Sequence, residues 1–335
     1  MESDGKGLSI ALIVLTYQGV PFLDRLLPSL LSQTYPHSRI VVVDNGSTDG
    51  TVEQVNRTLG AQANIISNST NLGCATGYNI GAAACPDEDI LCFLNQDIVL
   101  DPNYCRAIAA KLGADPEAVA VQPMVHCLGN PYLVENCGHT ADVWLTTRTI
   151  GHLMAPRTFE VPTGLLFTLT APAIRREWFE KLHGFDEPLF IYYEDTDLSL
   201  RIWEAGGRVV FEPLAHVEHL QEGSSSAFPD EWRAFLWARN RVQLLWKHAG
   251  SPSDYARALL VTGAGLTALP LLVLVRPRIG VAISRGLWAA LVRLPNIQRD
   301  KSNAPMRQTL TTLCEAGVLR PSDGVLTVLR RAFTM

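Results

Sequence analysis

Apolar and polar positions alternate in blocks along the first hundred residues. Leu8–Leu15 (LSIALIVL) is almost unbroken in apolar side chains, as expected of a strand buried on both faces. The next block, Pro21–Gln33, sets Leu23, Leu26, Leu27, Leu30 and Leu31 on one face of a helix. Arg39–Val43 (RIVVV) repeats the buried-strand pattern and Thr48–Leu59 the helical one. Asn64–Ser67 reads as a short strand, Thr76–Ala84 as a Gly/Ala-rich helix and Asp89–Leu94 (DILCFL) as another strand. This alternation predicts an α/β fold: a Rossmann-like, mostly parallel sheet flanked by helices. Functional loops in such sheets lie at the carboxyl ends of the strands. Three polar clusters fall there: Thr16-Tyr17, Asp44-Asn45-Gly46-Ser47 and Asn95-Gln96-Asp97.

Beyond residue 120 the pattern is less regular, with strands expected at Val119–Val125 and Leu165–Leu169. A helix is expected to start near Asp195, bury Leu198, Ile202 and Ala205, and stop at Gly206-Gly207. Ala234–His248 reads as an amphipathic helix. Ala258–Val275 then runs 18 residues without a charge, the lower edge for a membrane span. It is interrupted by Pro270 and two glycines. Arg276–Pro295 interleaves Arg278, Arg285 and Arg293 with Ile279, Ile283, Leu287, Trp288 and Leu291. That is the pattern of a basic interfacial helix, which favours membrane-surface association over a buried hairpin or a true span.

Composition narrows the class. Hydrophobic residues make up 47% and charged residues 18% of 335, a globular composition. A net charge of −5 argues against a general nucleic-acid binder. The charge is segregated: residues 1–250 carry 17 Lys+Arg against 29 Asp+Glu, and residues 251–335 carry 11 against 4. The basic segment is thus expected to meet an anionic surface. Seven cysteines without a CxxC pair read as small core residues in a reducing compartment. Met1–Gly7 lacks the basic start of a secretory signal. The expectation is a cytoplasmic protein, with a division into residues 1–250 and a helical, basic, membrane-proximal region 251–335.

No GxGxxG follows the first strand and no GxxxxGK[ST] occurs, so neither dinucleotide nor P-loop chemistry is supported. Asp97, on a strand-end turn, suits a divalent cation; it equally suits the turn that leads to Asp101-Pro102. Tyr193-Glu194-Asp195-Thr196-Asp197 puts three carboxylates within four residues at a helix start. The helix dipole accounts for one of them; mutual repulsion among three raises a pKa toward that of a general base. His216-Val217-Glu218-His219 suggests a ligand, and as a strand its two histidines are expected to share a face. Phe185 is expected in the core, Asp186 in a turn, and at least two of Trp203, Trp232 and Trp237 in packing roles. Arg201 is expected to pair with the acidic cluster. Arg239 and Arg241 fit either a diphosphate or lipid contact or a solvated helix face.

Seven segments in order resemble family 2 glycosyltransferases of the GT-A fold, nearest in pattern to bacterial rhamnosyltransferase-like members. They are IVLTYQG at Ile13–Gly19, VVVDNGSTDGT at Val41–Thr51, NLGCATGYNIGAAA at Asn71–Ala84 and FLNQDIVLDP at Phe93–Pro102. GFDEPLFIYYEDTDLSLRIWEAGGRVVFEP at Gly184–Pro213, HVEHLQEGSS at His216–Ser225 and ARNRVQLLWKH at Ala238–His248 complete the set. The resemblance spans roughly residues 8–250.

The resemblance implies an inverting transfer of a sugar from a nucleotide-sugar donor, with dTDP-rhamnose as the first choice. The acceptor would be a glycan or lipid-linked, met at the inner face of the cell membrane during surface polysaccharide synthesis. Thr16, Tyr17 and Asp44 match positions that hold base and ribose, and Gly73 and Ala75 match a close-approach segment near the nucleotide. Asn95, Gln96 and Asp97 match the family's Asp-x-Asp, with Asp97 as ligand to Mg²⁺ or Mn²⁺ and His219 completing the metal site. Asp195 matches the catalytic base, with Glu194 beside it to tune it or bind acceptor. Asp197 would do the same or stabilise the helix start. His216 does not align and reads as a structural or supporting residue. Asn95 stands where the family's first Asp would be, which removes a charge from the metal site. Two rivals remain. A nucleotidyltransferase would want a basic loop after the first strand, and Ile13–Gly19 has no Lys or Arg. A non-catalytic nucleotide-sugar-binding or scaffold protein would keep the fold alone.

Overall fold

The computed structural model describes residues 7–36, 38–142, 144–161, 165–220, 228–296 and 319–320. Its first half follows the sequence pattern: β1 (Ile10–Thr16), α1 (Val20–Leu31), β2 (Ser38–Asp44), α2 (Thr51–Leu59), β3 (Ala63–Ser67), α3 (Gly73–Ala83) and β4 (Ile90–Leu94). There follow β5 (Ile98–Leu100), α4 (Tyr104–Ala114), β6 (Ala118–Cys127), β7 (Asn130–Asn136), β8 (His139–Asp142) and β9 (Thr147–Thr149). The chain then forms β10 (Ala173–Arg175), α5 (Arg176–Lys181), α6 (Glu194–Glu204), β11 (Arg208–His219), α7 (Asp230–Lys247), α8 (Pro252–Val275) and α9 (Pro277–Arg293).

The main sheet runs β3-β2-β1-β4-β10-β6-β11-β5, with β7 added on β6. It is mixed, not purely parallel. β1, β2, β3 and β4 pair in parallel, as do β6 and β11, whereas β10 is antiparallel to both its neighbours and β5 and β7 are antiparallel too. The parallel part is the part joined by helical crossovers. β10 enters from an irregular excursion and needs no crossover, so nothing forces it to run parallel.

The unbroken apolar strands are buried on both faces. Ile10, Leu12 and Val14 face α1, α2 and α4 in one core; Ala11, Ile13 and Leu15 face α3 and α6 in the other. α3 lies unusually close to the sheet. A Cβ on Gly77 would fall 2.4 Å from Leu15 Cδ1, and one on Gly81 2.3 Å from Ile13 Cγ2. Glycines at i and i+4 remove the side chains that would otherwise hold helix and strand apart. The start of α3 thereby reaches the edge where β1, β2 and β4 end.

Leu165–Leu169 does not form a strand. Leu166 makes a single bridge with His139. The N–H groups of Phe167, Thr168 and Leu169 go instead to Ser199 Oγ, Gln122 Oε1 and Asp195 Oδ2. Side chains satisfy the donors that a ladder would have used. Four of the seven cysteines are buried free thiols, Cys74 and Cys127 are half-buried, and Cys314 lies outside the described residues. At the far end α8 and α9 form a hairpin, with Val242 of α7 packed on Leu287 and Ala290 of α9.

Candidate active site

The loops at the carboxyl edge are stitched to one another. Thr16 Oγ1 and Ser47 Oγ donate to Asp44 Oδ1 at 3.0 and 2.5 Å, and the N–H groups of Gly46 and Ser47 donate to Oδ2 at 3.1 and 2.8 Å. A carboxylate offers about four acceptor positions, and the turn around Asp44 uses them. Gln96 is similarly engaged: its Oε1 accepts from Tyr17 N at 2.9 Å and its Nε2 donates to Tyr17 O at 3.0 Å. This pair fixes the backbone of the first loop. It leaves the Tyr17 ring to lie parallel to Phe228, 6.4 Å between centroids, with Phe228 stacked on Trp232 at 4.5 Å. Tyr78 donates its hydroxyl to Asn95 Oδ1 at 2.9 Å. Gly73 has φ of +85°, and a Cβ there would strike Phe190 at 2.6 Å. The close approach at this glycine is made by Phe190, whose carbonyl also receives the N–H groups of Cys74 and Ala75.

Asp97 and His219 are 122 positions apart in sequence, yet antiparallel pairing of β5 with β11 sets His219 opposite Ile98. His219 Nε2 lies 3.2 Å from Asp97 Oδ1. On the far side of the ring Nδ1 lies 2.8 Å from both oxygens of Glu135, which reaches over from β7. Burial alone would lower the imidazolium pKa, but hydrogen bonds and charge from Asp97 and Glu135 outweigh it and raise His219 to about 9. His216 does not share this face. Residues three apart on a strand point to opposite sides, and His216 Nδ1 meets His126 Nε2 at 3.0 Å on the other one.

The start of α6 holds the acidic cluster. Asp195 is half-buried. Its Oδ1 accepts from Thr196 N at 2.6 Å and Thr196 Oγ1 at 3.2 Å, and its Oδ2 accepts from Leu169 N at 3.3 Å. Thr196 Oγ1 also meets His139 Nε2 at 3.1 Å. The chain of bonds closes when His139 carries its proton on Nε2. Burial holds His139 below its ordinary pKa against the pull of Asp195, which keeps the ring neutral. Glu194 is buried, and nothing among the described residues donates to its Oε2. Burial first, then the Asp195 charge, push its carboxyl well above the usual range. The neighbouring carboxyls therefore differ: one buried and inclined to stay protonated, the other half-open and oriented by donors. Cys74, raised mainly by burial, also feels the charges of Glu194, Asp195 and Asp97.

Asp197 belongs to a different assembly. It is fully buried and contacts Arg201 at 2.7 Å, Lys247 at 2.9 Å and His248 at 3.0 Å. Burial opposes its charge, yet Arg201, Lys247 and His248 hold it well below the ordinary carboxylate range. Arg201 pairs with the acidic cluster as expected and also donates to the carbonyls of Leu182 and Gly184. Arg239 is neither solvated nor free for a diphosphate: it is buried against the carbonyls of Pro188 and Leu189. Arg241 donates to the carbonyl of Trp144 and to Thr146. Of the three tryptophans only Trp203 is buried, since Trp237 is exposed and Trp232 half-buried. Phe185 lies in the core, and Asp186 receives Lys247 Nζ at 2.6 Å. The backbone leading into α6 is strained, because Phe190, Tyr192 and Tyr193 have φ of 67, 70 and 71° without being glycine. Each such residue costs roughly 1–3 kcal/mol.

Glu135, His139, Thr196 and Asn240 escaped the sequence reading. Glu135 and His139 lie on β7 and β8, where the sequence pattern is irregular and no local spacing announces a partner far away in sequence.

The profile described as Glycosyl transferase family 2 matches residues 11–182, more than half of the chain. The chain belongs to glycosyl transferase family 2. Among curated relatives it is 26% identical over 267 residues to the N-acetylglucosaminyl-diphospho-decaprenol L-rhamnosyltransferase of Mycobacterium tuberculosis (strain ATCC 25618 / H37Rv), covering 72% of this chain and 85% of the relative. It is 27% identical over 215 residues to the O-antigen chain rhamnosyltransferase RfbN of Salmonella typhimurium, covering 63% and 66%. Among solved structures, GalNAc-T7 with UDP, GalNAc and Mn²⁺ superposes with a TM-score of 0.54 at 19% identity, covering 71% of this chain and 51% of that one. The fold is that of the GT-A glycosyltransferases, and the chain is a glycosyltransferase with rhamnosyltransferase-like relatives.

Proposed function

We propose that this glycosyltransferase moves rhamnose from dTDP-rhamnose to a lipid-linked or polysaccharide acceptor, with inversion at the anomeric carbon, on the cytoplasmic face of the cell membrane. The observation that carries the reading is Asp195, a half-open carboxylate oriented by three donors beside a buried Glu194. Asp195 accepts the proton of the acceptor hydroxyl as that oxygen attacks the anomeric carbon. Glu194, when protonated, offers a hydrogen bond to the acceptor or to Asp195. Thr16, Tyr17, Asp44, Gly73, Ala75, Asn95 and Gln96 build the nucleotide side, Asp44 and Gln96 by fixing the loops that carry the others. The sugar is assigned by likeness to the two rhamnosyltransferases.

Asp97 and His219 fit a divalent cation, Mg²⁺ or Mn²⁺. One oxygen and one imidazole nitrogen face each other, and Glu135 holds Nδ1 so that Nε2 points at Asp97, the arrangement that orients a ligating histidine. Asn95 Oδ1 is turned toward Tyr78. Among the described residues no group of three His, Cys, Asp or Glu side chains gathers as a complete metal site, so Asp97 and His219 would hold the cation only together with donors from elsewhere. When bound, the cation would neutralise charge on the departing diphosphate. Glu135→Gln is expected to weaken Mn²⁺ dependence 10–100-fold, read as a shift in the Mn²⁺ concentration for half-maximal transfer. An unchanged midpoint would remove Glu135 from the metal site.

Residues 1–250 form the catalytic part in this reading, and 251–335 the membrane-proximal part. α8 is 24 residues long and apolar enough to cross a bilayer, with 12% of its most apolar stretch buried. Leu259, Leu260, Leu266, Leu271 and Leu274 lie exposed along it. On α9 the exposed stripe alternates Arg278, Val281, Arg285, Trp288 and Val292. Packing of both helices against α7 supports lying on the surface rather than spanning, with arginines at the headgroups. The full chain is expected to float with vesicles containing phosphatidylglycerol, less with phosphatidylcholine alone, and Leu260→Gln with Leu271→Gln should reduce flotation. Equal failure to float with either vesicle would overturn the surface reading.

Transfer is tested directly by incubating the chain with a panel of nucleotide-sugars and a polyprenyl-diphosphate-sugar acceptor. Product with inverted anomeric configuration from dTDP-rhamnose alone supports the proposal. Transfer from another sugar replaces the donor. Binding of nucleotide-sugars without any transfer turns the reading toward a scaffold protein.

A further inference from the structure

Every carbonyl from Pro188 to Tyr192, the segment just ahead of the acidic pair, is taken by a donor from elsewhere. Asn240, fully buried on α7, points its Nδ2 at the carbonyls of Leu189, Ile191 and Tyr192 at 2.9, 2.9 and 2.8 Å. Arg239 donates to Leu189 O at 2.8 Å and Pro188 O at 3.2 Å, and Arg293 of α9 reaches Pro188 O at 3.1 Å. Phe190 O receives Cys74 N at 2.6 Å and Ala75 N at 3.2 Å. Arg239 Nε also donates to Asn240 Oδ1 at 2.8 Å. Arginine has no acceptor, so this bond fixes which end of the Asn240 amide faces the carbonyls.

The segment needs holding. Ile191 N bonds back to Leu189 O at 2.8 Å across Phe190, a γ-turn with φ 67° and ψ −68°, and Tyr192 and Tyr193 follow with positive φ. Released, these non-glycine residues would relax to negative φ. Glu194 and Asp195 come next in the chain, so relaxation would rotate the first turn of α6.

We infer that Asn240, oriented by Arg239, is a positioning residue for the transfer reaction: it holds residues 188–192 in their positive-φ form and thereby aims Asp195. This rests on Asp195 being the base. Asn240 is fully buried under the segment, so its loss acts through the segment: on the aim of Asp195 first and, through Phe190, on the start of α3.

The test compares wild type with Asn240→Ala, Asn240→Asp and Arg239→Lys. Asn240→Asp keeps the shape and places oxygen where the amide donor was. Both Asn240 variants are expected to lower kcat at least tenfold and to raise the donor KM by a smaller factor, and Arg239→Lys to lower kcat less. Amide hydrogen exchange at Cys74, Ala75 and residues 189–196 should accelerate in the Asn240 variants while β1 and β4 keep their protection. A kcat within twofold of wild type in folded Asn240→Asp overturns the inference, as does unchanged exchange in that segment. Loss of protection throughout the sheet would mark Asn240 as a general stability residue instead. If wild type transfers nothing, the base assignment has failed, and exchange still decides whether Asn240 holds the segment.

Discussion

Replacing Asp195 with asparagine is expected to lower kcat by about 10²–10⁴-fold, the range for removal of a general base. Donor binding and the unfolding midpoint should stay close to wild type. The substitution is nearly isosteric, and Asn Oδ1 can keep the bond from Thr196 N, now 2.6 Å. What disappears is the basic oxygen that would take a proton. Glu194 is a poor substitute, because it is buried and its carboxyl is pushed well above the usual range by burial and by Asp195 itself. Removing the Asp195 charge relieves that repulsion without bringing Glu194 to the surface. The check is single-turnover transfer alongside nucleotide-sugar titration. Turnover within a few-fold of wild type would rule Asp195 out as the base.

Asp197→Asn should be the most damaging stability change near the site, by about 3–5 kcal/mol, the cost of breaking a buried ion pair from one side. Arg201, Lys247 and His248 would be left around an amide in the interior. For contrast, the exposed Arg176–Glu180 pair one turn apart on α5 is worth about 0.3–0.5 kcal/mol. Urea unfolding with an unchanged slope would read the difference, and a loss below about 1 kcal/mol would show that the assembly is not load-sharing as drawn. The network also sets a pH window. Asp197 has a depressed folded pKa, so its contribution is present above the unfolded value of about 3.9 and is lost as pH falls toward the folded one. His248 is raised from 6.5 to about 9, as Glu204 and Asp197 overcome its burial. Its contribution is complete below 6.5 and is lost as pH rises through about 9. Without a bound cation His219, also raised to about 9, adds to the same alkaline loss; a cation at Nε2 would require the neutral ring.

The unbroken apolar strands and their polar ends were legible because burial on both faces leaves no choice of residue at positions such as Ile10–Leu15. The start of α6 was legible from three carboxylates in four residues. The failures are long-range. Arg239 looks like a surface cation on its own helix, and only the fold reveals the carbonyls of Pro188 and Leu189 against it. Glu135 and His219 meet across β6, which no spacing in either segment encodes. Leu165–Leu169 has the composition of a strand, but Ser199, Gln122 and Asp195 claim its N–H groups first. The histidine pair was placed on one face although its spacing of three sets the rings apart.

β7 turns back along β6, and the chain then leaves the main sheet after Asn136, beside Val125, to re-enter at Ala173, beside Val121 of the same strand. The stretch from β7 to β10 is thus rooted at both ends on β6, so its middle can change length without moving that strand. Such a segment could be replaced as a cassette while the strand ends built from residues 10–100 keep their places. Glu135 lies inside that cassette yet bonds His219 outside it. A graft of that stretch would have to carry a carboxylate to that one position, or His219 would lose the partner that orients it.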